Sequence, residues 1–242
     1  MKIDVAFTPG EPPEAAVAIV IDVLRATTTI AHALAQGYSR VLACAGLDRA
    51  RELAGRLGAG TVLAGERACV RPEGFDLGNS PREFADGAAR GETLVLTTTN
   101  GTRAIVAAAN RADTVLVGSL ANLTACAAAA ARRARQAKGD VLVQCAGVGG
   151  EFAIDDAYTA GRYVSELRVW LAEWEATDAA QAAEAIAASF TSAGEGLGAS
   201  RSARNLRAAD LADDVRYCAR ESVLDVIPTV GDVDDDVALI TA

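Results

Sequence analysis

Asp22 and Arg25 stand beside Thr27, Thr28 and Thr29, directly after the apolar run Ala18-Ile19-Val20-Ile21. The arrangement recurs where Thr93-Leu94-Val95-Leu96 leads into Thr97, Thr98, Thr99, Asn100, Gly101, Thr102 and Arg103. An apolar run followed by small hydroxyl residues is how a buried parallel strand reads when it delivers a loop to a helix N-terminus. That terminus offers unpaired N–H groups and a positive partial charge. Hydroxyl donors and an Arg added there suit a phosphate, sulfonate or carboxylate. Two such places in one sheet imply a ligand with more than one anionic group. Asp22 is then either a metal ligand or a base at the strand end, or a residue that closes the strand.

Other oxygen donors sit at similar positions. Glu66 follows the run Thr61–Gly65, and Asp76 lies in the loop Gly74-Phe75-Asp76-Leu77-Gly78-Asn79-Ser80-Pro81. Both could ligate a hard cation such as Mg²⁺. Asn79 and Ser80 could hold an anion or cap the next helix. Gly101 permits close backbone approach. Thr97–Arg103 is not a Walker A loop, because no G-x-x-x-x-G-K-[ST] is present. Cys145-Ala146-Gly147-Val148-Gly149-Gly150 is a poor dinucleotide signal, since it lies late and no βαβ unit follows. Asp155 and Asp156, beyond it, either cap a helix or complete a metal or acid–base set.

Composition removes several classes. Net charge is −9 over 242 residues, which argues against nucleic acid. An anionic substrate must be drawn by local positive charge. The five cysteines are odd in number and lack C-x-x-C, which argues against a disulfide framework or zinc site. His32 is the single histidine and falls inside a helix pattern, so His-based nucleophilic catalysis has one poorly placed base. Cys145 would be a nucleophile only with a lowered pKa. Apolar runs are too short to span a membrane, and Met1-Lys2-Ile3-Asp4 does not read as a signal peptide. A cytoplasmic protein is expected, with no membrane or nucleic-acid partner. A homo-oligomer, a dimer by general frequency, is the expected state.

The elements that must position these residues alternate. Strand-like runs fall near 2–7, 16–23, 40–45, 61–65, 93–98, 114–118 and 140–146. Alanine-rich helices fall near 26–36, 47–57, 102–110 and 121–137, then 156–173, 178–190 and 202–220, with a Gly-rich break at 194–198. This predicts an α/β fold: a three-layer α/β/α arrangement with a mostly parallel sheet and a helix-rich C-terminal third. One domain over 1–242 is expected, with a possible subdivision into 1–150 and 151–242. Ligands of such sheets sit outside the carboxyl ends of the strands. Those ends carry Asp22–Thr29, Gly65-Glu66-Arg67, Thr97–Arg103, Gly118-Ser119 and Cys145–Gly150, all expected on one side. Asp232–Asp236 reads as a solvated loop, and Val237–Ile240 as an edge strand.

Taken together, these blocks resemble the 2-phosphosulfolactate phosphatases. The matching segments are Ile21–Thr29, Gly65-Glu66-Arg67 with Gly74–Pro81, Thr97–Ala104, and Cys145–Asp156 with Ala160-Gly161. Asp214-Val215-Arg216-Tyr217-Cys218 with Pro228 matches more weakly. The resemblance spans most of the chain in order. It implies a Mg²⁺-dependent phosphatase that converts 2-phospho-3-sulfolactate to 3-sulfolactate and phosphate, on a route to coenzyme M. Where the family usually has Glu-Asp, this chain has Asp155-Asp156, whose first side chain is shorter.

The implied substrate carries phosphate, carboxylate and sulfonate, which agrees with two anion-binding strand ends. The site residues expected are Asp22, Arg25 and Asp156 for catalysis, and Asp22, Glu66, Asp76 and Asp155 for Mg²⁺. Thr27, Thr28, Asn79, Ser80, Thr99, Asn100, Gly101, Thr102 and Arg103 are expected on the substrate. Mg²⁺ and Arg25 would stabilise the transferring phosphoryl group, and Arg103 the sulfonate or carboxylate end. These two Arg roles are exchangeable. A covalent aspartyl-phosphate route stays open beside direct attack by water, although Asp22-Val23-Leu24 is not the D-x-D arrangement that would suggest it. Two rival functions remain. One is a phosphatase for another phosphorylated hydroxy acid. The other is a non-catalytic sulfonate or phosphate binder, against which the clustered carboxylates speak.

Overall fold

The computed structural model describes residues 1–10, 12–85, 92–234 and 236–242. Each apolar run up to residue 146 forms a strand: β1 (Lys2–Ala6), β2 (Ala15–Ile21), β3 (Arg40–Cys44), β4 (Thr61–Gly65), β5 (Thr93–Thr97), β6 (Ala112–Gly118) and β7 (Val141–Cys145). Between them lie the helices α1 (Ala26–Ala35), α2 (Leu47–Leu57), α3 (Gly101–Ala109) and α4 (Leu123–Ala137). β2 stops at Ile21, two residues short of the expected 16–23, which leaves Asp22 in the turn rather than in the ladder.

The C-terminal third supplies α5 (Ile154–Trp170), α6 (Asp178–Ala188), α7 (Ala193–Gly198), α8 (Arg201–Ala208) and α9 (Ala212–Cys218). It also supplies the strands β8 (Glu175–Ala176), β9 (Thr229–Asp234) and β10 (Val237–Thr241). The expected Gly-rich break at 194–198 is instead α7. Ser192 caps it by accepting from the Glu195 N–H, and Glu195 accepts from the Thr191 N–H in return. This reciprocal cap outweighs the poor helix propensity of glycine. The expected helix 202–220 divides into α8 and α9, because Asp210 adopts a left-handed conformation with φ of 59° between them.

One sheet collects the ten strands of the described residues in the order β4-β5-β3-β10-β9-β6-β2-β7-β1-β8. The blocks β4-β5-β3 and β6-β2-β7-β1-β8 are internally parallel, and β10 and β9 join them through three antiparallel pairings. β10 is therefore interior rather than an edge strand. Its alternation of buried Ala238 and Ile240 with the less buried Leu239 reads the same way at an edge. Asp232 and Asp234, expected in a loop, are exposed strand residues; Asp235 lies outside the described residues.

The side-chain alternation of β2 explains the layers. Val17, Ile19 and Ile21 point to one face and pack with Ala127, Tyr163 and Ala183 of α4, α5 and α6. Ala18 and Val20 point to the other and pack with Ile30, Leu34 and Ile105 of α1 and α3. Both faces of the strand are covered, as a parallel βαβ arrangement requires. Each Val, Ile or Leu side chain removed from water contributes roughly 1.5–3 kcal/mol. A satellite cluster of Leu63, Phe75 and Val95 lies under α2 with Ala50. Among the described residues no helix is long and apolar enough to cross a membrane.

Candidate active site

A cavity of about 180 Å³ opens where the carboxyl ends of β2, β4, β5 and β7 meet α8. It is lined by Asp22, Leu24, Arg25, Glu66, Ala68, Cys69, Asn79, Thr98, Thr99, Asn100, Gly147, Val148, Asp155, Asp156, Ser202, Asn205 and Leu206. The expected strand ends thus converge, but they come from both blocks of the sheet rather than from one parallel edge. The end of β6 is not among them. Ser119 is fully buried there, its N–H and hydroxyl donating to Asn122 Oδ1.

Four carboxylates and one guanidinium give the cavity its character. Asp22 is buried, and burial followed by the Asp155 charge raises its pKa to about 7. Burial raises Asp155 to about 6, and Asp155 Oδ1 has no hydrogen-bond partner. Burial, then Asp155 and Asp22, push Asp156 well up. Yet both Asp156 oxygens accept backbone N–H groups, Oδ1 from Val23 at 3.0 Å and Oδ2 from Gly147 at 2.9 Å. Asp156 is thereby a tie between the β2 turn and the glycine loop after β7. Glu66 is tied too: Oε1 accepts from the Thr99 N–H and hydroxyl at 2.9 and 2.7 Å, and Oε2 from the Cys69 N–H at 3.0 Å.

Arg25 is the cavity's only cationic lining residue among the described residues. Its Nη1 donates to Asp214 Oδ2 at 2.7 Å and its Nη2 to the Cys69 carbonyl at 3.0 Å. Asn79 adds a neutral amide whose buried Oδ1 is unpartnered. Asn100 Oδ1 accepts from the Gly149 N–H at 3.0 Å and holds the glycine loop against the β5 end.

Several residues expected on the ligand face inward to the protein instead. Thr27 Oγ1 donates to the Asp22 carbonyl at 2.9 Å and Thr28 Oγ1 to the Val23 carbonyl at 2.8 Å. Both threonines are fully buried, because Thr hydroxyls readily satisfy nearby backbone. Ser80 Oγ donates to Asp214 Oδ1 at 2.7 Å. Thr102 Oγ1 pairs with Thr98 Oγ1 at 3.4 Å. Gly101 is approached by Asp22 and Ala26 rather than by open space. Arg103 is exposed and lies outside the cavity. Asp76 is also exposed and outside it, with Oδ2 accepting from the Leu63 N–H at 2.8 Å, a loop anchor on β4. Asp22, Arg25, Glu66, Asn79, Thr99, Asn100, Asp155 and Asp156 do come together.

Sequence reasoning missed the α8 wall of Ser202, Asn205 and Leu206. Its three- and four-residue spacing on one helix face was the available signal. Asp214 stood out only as part of the weaker matching segment Asp214–Cys218, with nothing in the sequence to pair it with Arg25. His32 is buried and lowered to about 4, by burial and then by Arg220. Its ring packs on Tyr217 with centroids 4.9 Å apart. Cys145 is fully buried with its thiol pushed well up by burial, the opposite of an activated nucleophile.

The donor set fits a small hard cation held sparingly. Among the described residues no three His, Cys, Asp or Glu side chains form a ready cage. Mg²⁺ does not need one, since it keeps several waters and takes one or two carboxylates plus substrate oxygens. Asp155 has an orphaned buried oxygen, and burial followed by the Asp155 charge makes the ionised form of Asp22 costly. A cation between such groups removes both penalties.

Comparison with known proteins identifies the family. A family model described as 2-phosphosulpholactate phosphatase matches residues 6–232. A probable 2-phosphosulfolactate phosphatase of Thermotoga petrophila is 35% identical over 229 residues, covering 94% of this chain and 95% of its own. Proteins of the same description from Thermus thermophilus and Deinococcus radiodurans are each 38% identical. They span 234 and 222 residues, 95% and 90% of this chain and 94% and 89% of theirs. With the family model and full-length relatives in agreement, the chain belongs to the 2-phosphosulfolactate phosphatase family.

Proposed function

We propose that this protein hydrolyses a phosphate monoester of a small polyanionic acid, 2-phospho-3-sulfolactate, to 3-sulfolactate and phosphate, with Mg²⁺ as cofactor. One observation carries the reading: Asp22 and Asp155, both buried and both raised in pKa, share a small cavity with Arg25. A pure anion binder gains nothing from carboxylates beside its ligand. A phosphatase needs them to hold a cation that offsets phosphoryl charge. The names borne by the relatives supply the substrate.

In this reading Asp22 and Asp155 hold Mg²⁺, and Asp156 and Glu66 fix the loops around them. When bound, the ion would supply Lewis-acid neutralisation of phosphoryl charge. The chain's own groups do the rest. Arg25 directs its remaining N–H groups at the phosphoryl oxygens, where charge grows as the ester bond breaks. Asn79, Thr99 and Asn100 surround the same region with neutral polar groups. Asn205 on α8 faces the non-reacting end of the substrate, while Ser202 lies beside Asp155.

Phosphate release from 2-phospho-3-sulfolactate tests this directly, with a panel of other phosphorylated hydroxy acids beside it. Asp22→Ala or Arg25→Ala is expected to lower kcat/KM by at least about 10²-fold, the scale of a lost transition-state donor. Unchanged Mg²⁺-dependent turnover in either variant overturns the site assignment. Faster turnover of another panel member overturns the substrate assignment alone.

A further inference from the structure

We infer that Asp214, on α9, is the positioning residue that sets the Arg25 guanidinium for the phosphoryl group. The inference rests on the reading of Arg25 above and extends it to the far end of the chain. Asp214 is fully buried and Arg25 nearly so. Their 2.7 Å contact is thus an ion pair without solvent. Buried pairs of this kind contribute little net stability compared with apolar side chains of similar volume, because both charges lose their hydration. What the pair does provide is geometry. A guanidinium is planar, and its donors have fixed directions. Asp214 holds Nη1 and the Cys69 carbonyl holds Nη2. The plane is fixed from two sides, and with it the directions of the unused N–H groups.

The other Asp214 oxygen shows why it sits here. Oδ1 accepts from Ser80 Oγ at 2.7 Å. The preceding residue, Asn79, lines the cavity, and its carbonyl accepts from Thr29 Oγ1 of α1 at 2.9 Å. One carboxylate therefore sets Arg25, and the Ser80 hydroxyl in turn holds that carboxylate in place. The loop after β4, the start of α1 and α9 are locked to a common origin 189 residues after Arg25 in the chain. Without that carboxylate the guanidinium keeps its charge and loses its orientation. Transition-state stabilisation then falls more than charge attraction does.

The experiment is a double-mutant cycle on the full chain: wild type, Asp214→Asn, Arg25→Ala and the double variant. Four quantities are read: kcat and KM for 2-phospho-3-sulfolactate at saturating Mg²⁺, calorimetric affinity for inorganic phosphate, and Tm. With Arg25 present, Asp214→Asn is expected to lower kcat/KM about 10- to 100-fold, mostly in kcat, and phosphate affinity by about 10-fold. In the Arg25→Ala background the same change is expected to alter phosphate affinity by less than about 2-fold, because the residue it acts through is gone. Equal losses in both backgrounds, or no loss beside an intact Arg25, overturn the inference. Asp214→Asn replaces a buried charge, so Ser80→Ala is run beside it as the gentler change. Ser80→Ala is expected to give a smaller loss that also vanishes without Arg25, and a loss persisting there overturns the inference as well. If Arg25→Ala itself retains full turnover and phosphate affinity, the reading of Arg25 falls instead.

Discussion

Gly101→Ala would separate the geometry of the site from the stability of the fold. Gly101 opens α3 at the point where Asp22 leaves β2. A methyl group there would stand 2.6 Å from Ala26 Cβ and 2.8 Å from Asp22 Oδ2. Ordinary contact between such atoms is about 3.5–4.0 Å. The two residues must therefore retreat by roughly 1 Å. Overpacking of this size costs about 1–3 kcal/mol, and Ala over Gly in a helix returns about 1 kcal/mol. Net stability should fall by no more than about 2 kcal/mol. Catalysis has no such offset, since misplacing a reacting group by 1 Å costs on the order of 10²-fold. Gly161→Ala is the control: its methyl would run into the Ala183 carbonyl of α6, away from the cavity. Thermal denaturation and phosphate-release kinetics are measured on both. Gly101→Ala should stay folded with kcat down 10- to 100-fold, and Gly161→Ala should lose more stability while keeping kcat per folded molecule. Full activity in Gly101→Ala would refute the claim that this glycine exists to seat Asp22.

Three further outcomes follow from named groups. His32 is held neutral with its pKa near 4 rather than 6.5, so as pH falls from 6.5 to 4 the unfolded chain takes up a proton that the native protein refuses. Wild-type stability relative to His32→Asn should drop across that window by about 3 kcal/mol, as read by urea unfolding at several pH values; a pH-independent difference contradicts it. Arg103→Ala should change kcat/KM by less than about 3-fold, because a surface residue outside the cavity contributes little, and a 10-fold loss would restore it to the site. Removing divalent cations with a chelator should abolish phosphate release and Mg²⁺ should restore it, with a rise in Tm as the crowded carboxylates gain a counter-charge; metal-independent turnover contradicts this.

The sheet and the first four helices were legible because both faces of the strands are covered, which leaves uninterrupted Val, Ile and Leu runs. Interior β10 was not, because an antiparallel strand between two others shows locally the same alternation as one at an edge. Asp22, Arg25, Glu66 and the Asp155-Asp156 pair were legible because each follows an apolar run or a glycine turn. The threonines misled, since a hydroxyl that caps its own backbone and one that meets a ligand look identical in sequence. Asp76 and Arg103 misled for a related reason. Position beside a strand end does not fix which way a side chain turns. Asp214 was invisible as a partner because its meaning lies in contacts with Arg25 and Ser80, both more than 130 residues away.

Asp22 and Asp155 are proposed as the metal-binding face of the phosphatase site. The most direct measurement is the position of a Mn²⁺ ion, standing in for Mg²⁺, in anomalous diffraction from soaked crystals. One strong peak is expected in the cavity, about 2 Å from carboxylate oxygens of both Asp22 and Asp155. A peak at Asp76, or a cavity without metal at saturating Mn²⁺, would contradict it.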